Sequence, residues 1–163
     1  MESRLVNLIN KIAGELPWAR TVDEDYGQLE ALDDENIDMY PLTFPAILID
    51  LPGTEWSDAG DLSQRGVCEV RVRLAIDCYD DTHAGSQTID RIMQREEKRK
   101  ALHTLLQGYR VSDEGALIRT RSKFFTFNHG IKVYEATYTC AVSEATRERA
   151  TVDRRKLTVV VKS

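Results

Sequence analysis

A chain of 163 residues, 42% hydrophobic and 30% charged, has the size and composition of one ordinary domain, able to bury roughly two thirds of its unfolded surface. Those figures exclude a collagen-like or disordered chain. The longest apolar stretch, Phe44 to Leu51, is broken by Pro45 and Asp50 and is far too short to span a bilayer. The net charge of −5 hides a polarity along the chain. Thr21 to Gln64 holds twelve acids and no Lys or Arg, whereas Arg91 to Ser163 holds sixteen bases against eight acids.

The N-terminal residues mix Glu2 and Glu15 into an apolar run, unlike a secretory signal, so a cytoplasmic protein is expected. Residues 3–16 predict an amphipathic helix. Leu5, Leu8, Ile9, Ile12 and Leu16 recur at spacings of three and four, with Ser3 as cap and Pro17 as stop. Residues 21–43 are acidic and turn-rich, with one short strand expected near Gln28 to Leu32. Phe44 to Leu51 reads as a buried strand with Pro45 near its start or on an edge. Pro52 to Arg65 opens with Pro52-Gly53 and also holds Gly60, the composition of a loop.

From Gly66 to Tyr79, Cys68, Val70, Val72, Leu74, Ile76 and Cys78 alternate with Glu69, Arg71, Arg73, Ala75 and Asp77. This predicts a strand with one face on the core and the other on solvent or a partner. Ser86 to Tyr109 reads as helical with an apolar face that moves. Ile89, Ile92 and Met93 share one side, while Ala101, Leu102, Leu105, Leu106 and Tyr109 share another, roughly 160° away at about 100° per residue. Either the helix breaks at the charged QREEKRK stretch, or one straight helix meets different bodies with its two halves. Gly108 marks its end.

Ala116 to Phe127 and Ile131 to Ser143 predict two strands joined by the turn Asn128-His129-Gly130. On the second of them, Tyr134, Ala136, Tyr138, Cys140 and Val142 share one face. Residues 145–156 form a charged connector to a final β-branched strand, Leu157 to Val161, able to pair at home or to add to a neighbour's open edge. Helices and hairpins segregate, so the expected fold is a single α+β domain over 1–163. Its mainly antiparallel β-sheet carries two packed α-helices.

Cys68, Cys78 and Cys140 show no CxxC pairing and read as small buried hydrophobes. Asp77, Asp80, Asp81 and His83 crowd a strand end, where carboxylates and an imidazole could hold a divalent metal and serve a hydrolase or nuclease. The same residues have plain turn-and-cap composition and lack any metal-motif spacing, so a turn is expected, with no metal and no cofactor. No GxSxG elbow or Gly-rich phosphate loop is present, and no catalytic residue is assigned. Arg91, Arg95, Lys98, Arg99 and Lys100 could neutralise phosphates. Glu96 and Glu97 among them and a pI of 5.3 argue instead for a solvated helix face without sequence-specific nucleic-acid binding.

Several local phrases resemble the tail terminator and tail-completion (head–tail joining) proteins of tailed bacteriophages. These are the amphipathic N-terminal helix, the FPAILIDL strand, the RVRLAIDCYDD strand, the ALHTLLQGY helix and the NHGIKVYEATYTCAV strand, which together span most of the chain. The resemblance implies a non-catalytic virion protein, assembled in the host cytoplasm, that forms a hexameric ring. Its partners would be further copies of itself, the tail tube protein it caps and a head-completion or connector protein. The acidic 21–64 region and the charged connector depart from that pattern. On charge alone, Arg91, Arg95, Lys98 and Arg99 of one copy are expected to face Asp33, Asp34, Glu35 and Asp38 of the next. The alternatives outside virion assembly are a metal-dependent hydrolase or nuclease using Asp77, Asp80, Asp81 and His83, and a cytoplasmic adaptor.

Overall fold

The computed structural model describes residues 2–33, 42–111, 113–127 and 130–145. The connector and final strand expected after Ala145, together with Asn128 and His129, lie outside them. Helix α1 (Glu2–Glu15) begins one residue before the expected cap, so Ser3 sits in its first turn. Pro17, which has no N–H to continue the ladder, follows its end. Leu5, Leu8 and Ile12 form its inward stripe, and Leu16 closes it just past the last turn.

Five strands form one sheet among the described residues: β1 (Thr21–Glu24), β2 (Ala46–Gly60), β3 (Ser63–Asp77), β4 (Ile118–Phe127) and β5 (Ile131–Ala145). Their spatial order is β1-β2-β3-β5-β4, with β1 parallel to β2 and every other pair antiparallel. Helix α2 (Arg91–Leu106) completes the α+β arrangement.

The alternation in β3 is used as expected on its inner face. Cys68, Val70, Val72 and Leu74 meet Ile47 and Ile49 of β2, Tyr138, Cys140 and Val142 of β5, and the apolar stripes of both helices in one core. The other face is not simply solvated. Ala46, Leu48, Ala75, Ile131 and Val133 form a second cluster with Leu29, covered by Leu42, Phe44 and Phe127. Burial on both faces is why Ala46 to Ile49 reads as an unbroken apolar run.

Three expectations change. Pro52 to Arg65 is not a loop, because β2 and β3 continue through it as a long hairpin. Pro52 and Gly53 sit at a register shift between Asp50 and Gly53. The turn itself is Asp61-Leu62, both at positive φ (51° and 59°), the hand that a two-residue hairpin loop requires. The strand expected near Gln28 to Leu32 is instead a 3-10 turn at Glu30–Asp33, and the strand of this region lies earlier, at Thr21–Glu24. Helix α2 starts at Arg91 rather than Ser86, since residues 86–90 form turns braced by Ser86 and Thr88 hydroxyls on the Asp81 carbonyl. Of the two alternatives at QREEKRK, the break does not occur, and α2 is continuous. Gly108, at φ 83°, takes the left-handed position just beyond it.

Candidate functional site

Part of the chain's charge polarity is settled within one molecule. Arg73 points away from the helices and is only 7% exposed, although the alternation of β3 groups it with the charged side chains. It is covered because residues 25–30 fold over the sheet's outer face. Its guanidinium spans two carboxylates: Nε donates to Asp25 Oδ2 at 2.5 Å and Nη1 to Glu30 Oε1 at 2.5 Å, and Nη2 reaches both residues. The Arg73 hydrogen bond holds the Glu30 carboxyl below its ordinary range. One step along β3, Arg71 Nη2 donates to Asp50 Oδ2 of the neighbouring strand at 2.5 Å. Two arginines thus fasten three members of the acidic stretch to the sheet.

Of the four bases singled out on α2, the fold keeps three together and sets Arg99 apart. At about 100° per residue, Arg91, Arg95 and Lys98 fall on the same side of the helix as Leu102 and Leu106. With Gln94 they overhang a cleft of about 310 Å³ above Asp77 and Tyr79 at the end of β3. Arg91 lies 3.5 Å from Asp80, and the Arg95 Nε is buried with no hydrogen-bond partner among the described residues. Arg99 is engaged by Glu96, its Nε donating to Oε2 at 2.8 Å, and its guanidinium stands 5.9 Å from the Phe124 ring centroid. The Arg99 hydrogen bond holds the Glu96 carboxyl down at about 2. Asp33 closes the 3-10 turn, while Asp34, Glu35 and Asp38 lie outside the described residues. Ile92 and Met93 remain exposed on the flank of α2 that turns away from the core, and Ile89 is exposed in the turn before it.

Sequence reading missed a sharper separation of charge, visible only once strand order is known. The sheet ends on one side at β4, whose ten residues carry Arg119, Arg121 and Lys123 and no acid. On the other side it ends at β1 and the distal half of β2. Those two strands carry Asp23, Glu24, Asp50, Glu55 and Asp58 and no base. Each edge also exposes apolar side chains, Ile118, Phe124 and Phe125 on β4 and Trp56 on β2. Strand β1 pairs with β2 only over Ala46 to Ile49. Beyond that point the outer side of β2 has no strand partner among the described residues.

At this open stretch Glu2, Glu24, Asp50 and Glu144 line a cleft of about 390 Å³ with Leu51 and Trp56, and no Lys or Arg stands in its wall. The Trp56 ring lies across Gly66 of β3, where a Cβ would come within 2.8 Å of it, so the glycine gives the indole its seat.

The strand-end cluster pairs off locally. Asp80 turns to Arg91, while Asp81 accepts from His83 at 2.6 Å, and among the described residues no three potential ligands of this kind converge. Cys68 and Cys140 are buried and directly opposite each other across β3 and β5. Tyr138 is buried beneath α2, its hydroxyl 3.0 Å from His103 Nδ1, and burial pushes the phenol up to about 12. No helix among the described residues is long and apolar enough to cross a membrane. No protein-family model matches the chain, and no curated protein matches it.

Proposed function

We propose that this chain is a ring-forming virion assembly protein of tailed bacteriophages, a tail terminator or head–tail joining subunit that caps the tail tube and offers the docking surface for the head. The observation that carries the reading is the opposite charge of the two outer edges of one sheet. A closed ring needs two different, mutually complementary surfaces on every copy, and a basic edge facing an acidic one supplies them. Complementary potential also steers encounter and fixes register, while the exposed aromatic side chains beside each edge provide apolar area to bury. The likeness of the chain's local phrases to tail terminators directs the general reading, a ring, to the specific one.

In this reading β4 is the basic flank, and the next copy's acidic flank lies against it. The molecule works without catalysis or cofactor, in the tail of the virion. Its partners are five further copies, the tail tube protein and a head-completion or connector protein.

The test is electron microscopy of the purified chain, alone and mixed with tail tubes built from the tube protein encoded beside it. Six-fold rings that sit on tube ends and halt tube growth are expected. Isolated subunits that leave the tubes growing would refute the assignment.

A further inference from the structure

The long hairpin outruns the strand beside it. Strand β1 occupies the lane outside β2 only as far as Ile49, yet β2 runs on to Gly60. Among the described residues, Gly53 to Gly60 therefore presents an unpaired strand edge, eight residues or roughly 26 Å long at about 3.3 Å per residue. An open edge of backbone donors and acceptors is a template for an added strand. The side walls specify what kind of strand. On the helix side stand Leu51 and Trp56, around which Glu2, Glu24 and Glu144 form an acidic rim. The complementary occupant is a short β-branched segment preceded by positive charge.

The chain carries such a segment outside the described residues. Leu157 to Val161 is LTVVV, immediately preceded by Arg154, Arg155 and Lys156 and followed by Lys162. Extended, it places Leu157, Val159 and Val161 on one face, suited to Leu51 and Trp56, with the basic triplet at the acidic rim.

We infer that Leu157–Val161 of one copy adds as an edge strand to Gly53–Gly60 of the next. The connector favours a neighbour over a home pairing. From Ala145, at the end of β5, the home lane is three strand spacings away, roughly 14 Å. Eleven intervening residues reach up to about 40 Å. Crossings as short as the home one are ordinarily made by a handful of residues. The inference deepens the ring reading and rests on it, because it names a contact by which copies hold one another.

The experiment mixes isotopically heavy and light full-length protein, allows subunits to exchange, and joins lysines to carboxylates with a zero-length carbodiimide before mass spectrometry. Links from Lys156 or Lys162 to Glu24, Glu55 or Asp58 are expected, with mixed heavy–light pairs as abundant as random exchange dictates. Val159→Pro, which removes an N–H from the added strand, should weaken association at least ten-fold. Reversing Arg154 and Arg155 to Glu should do the same and be partly rescued by Glu24→Lys with Glu144→Lys. Links confined to pairs of one isotope would show the strand pairing at home and overturn the inference. An intact oligomer with no such links, or one unmoved by V159P and by the reversed pair, would overturn it and leave the ring reading standing. A solitary chain at every concentration would end both.

Discussion

Along the outer edge of β4 the charge is basic, and the one ion pair there among the described residues is Lys123 with Glu135 of β5 at 3.4 Å. Along the edge made by β1 and β2 the charge is acidic, and much of it is already spent at home, because Arg71 and Arg73 hold Asp50, Asp25 and Glu30. The difference teaches that the charge free to act between molecules is what remains after pairing within one. On the acidic side that remainder includes Glu24, Glu55 and Asp58, arrayed beside an unpaired strand; on the basic side it includes Arg121, at a fully accessible edge. One set of acids builds the fold, and the other is available to a partner.

The sharpest way to break this division is to remove the arginine that enforces it. Arg73→Ala leaves the Asp25 carboxylate buried without its partner and should destabilise the fold by about 3–5 kcal/mol in urea unfolding. A cost near zero would mean that residues 25–30 are not clamped to the sheet. Next in size is the contrast along α2. Leu106→Ala empties a fully buried site and should cost about 2–5 kcal/mol. Ile92→Ala, on the exposed half of the same helix, should change monomer stability by no more than about 0.5 kcal/mol.

On the basic edge, Arg121→Glu should leave unfolding nearly unchanged and weaken self-association about ten-fold, or about 1.4 kcal/mol. The loss should shrink as salt is raised. Arg95→Glu with Lys98→Glu should have the smaller effect, since those side chains sit in the cleft beneath α2. Equal effects would place the contact on the helix instead.

The smallest expected change concerns pH. Glu30 has its folded pKa lowered by Arg73 from an ordinary 4.5, so its contribution is fully present above that value. It is lost as pH falls through the lower, folded value. Glu30→Gln should therefore lose less stability than the parent between pH 5 and pH 3, and an identical loss would contradict the pairing.

How much of this was legible depended on how far the determining contacts lie along the chain. The inward stripe of α1, the alternation of β3 and the strands on either side of residues 128–129 are local patterns, and each appears where its residues place it. The hairpin between β2 and β3 was hidden because its glycine signals mark a bulge and the approach to the turn, while the turn residues are Asp61 and Leu62. Strand β1 is four residues long and pairs in parallel with a strand more than twenty positions away, which leaves no periodicity to read. Arg73 was grouped with solvated charges because nothing near it in sequence announces Asp25, 48 residues earlier. The opposed edges were half visible. Composition separated acidic from basic stretches, but only the strand order puts them on opposite sides of one sheet.

The central claim is that copies join through these unlike edges, and sedimentation of the purified chain across concentration and salt tests it most directly. One closed oligomer of fixed size should form at low salt and loosen as salt rises. A species that stays monomeric throughout would contradict it.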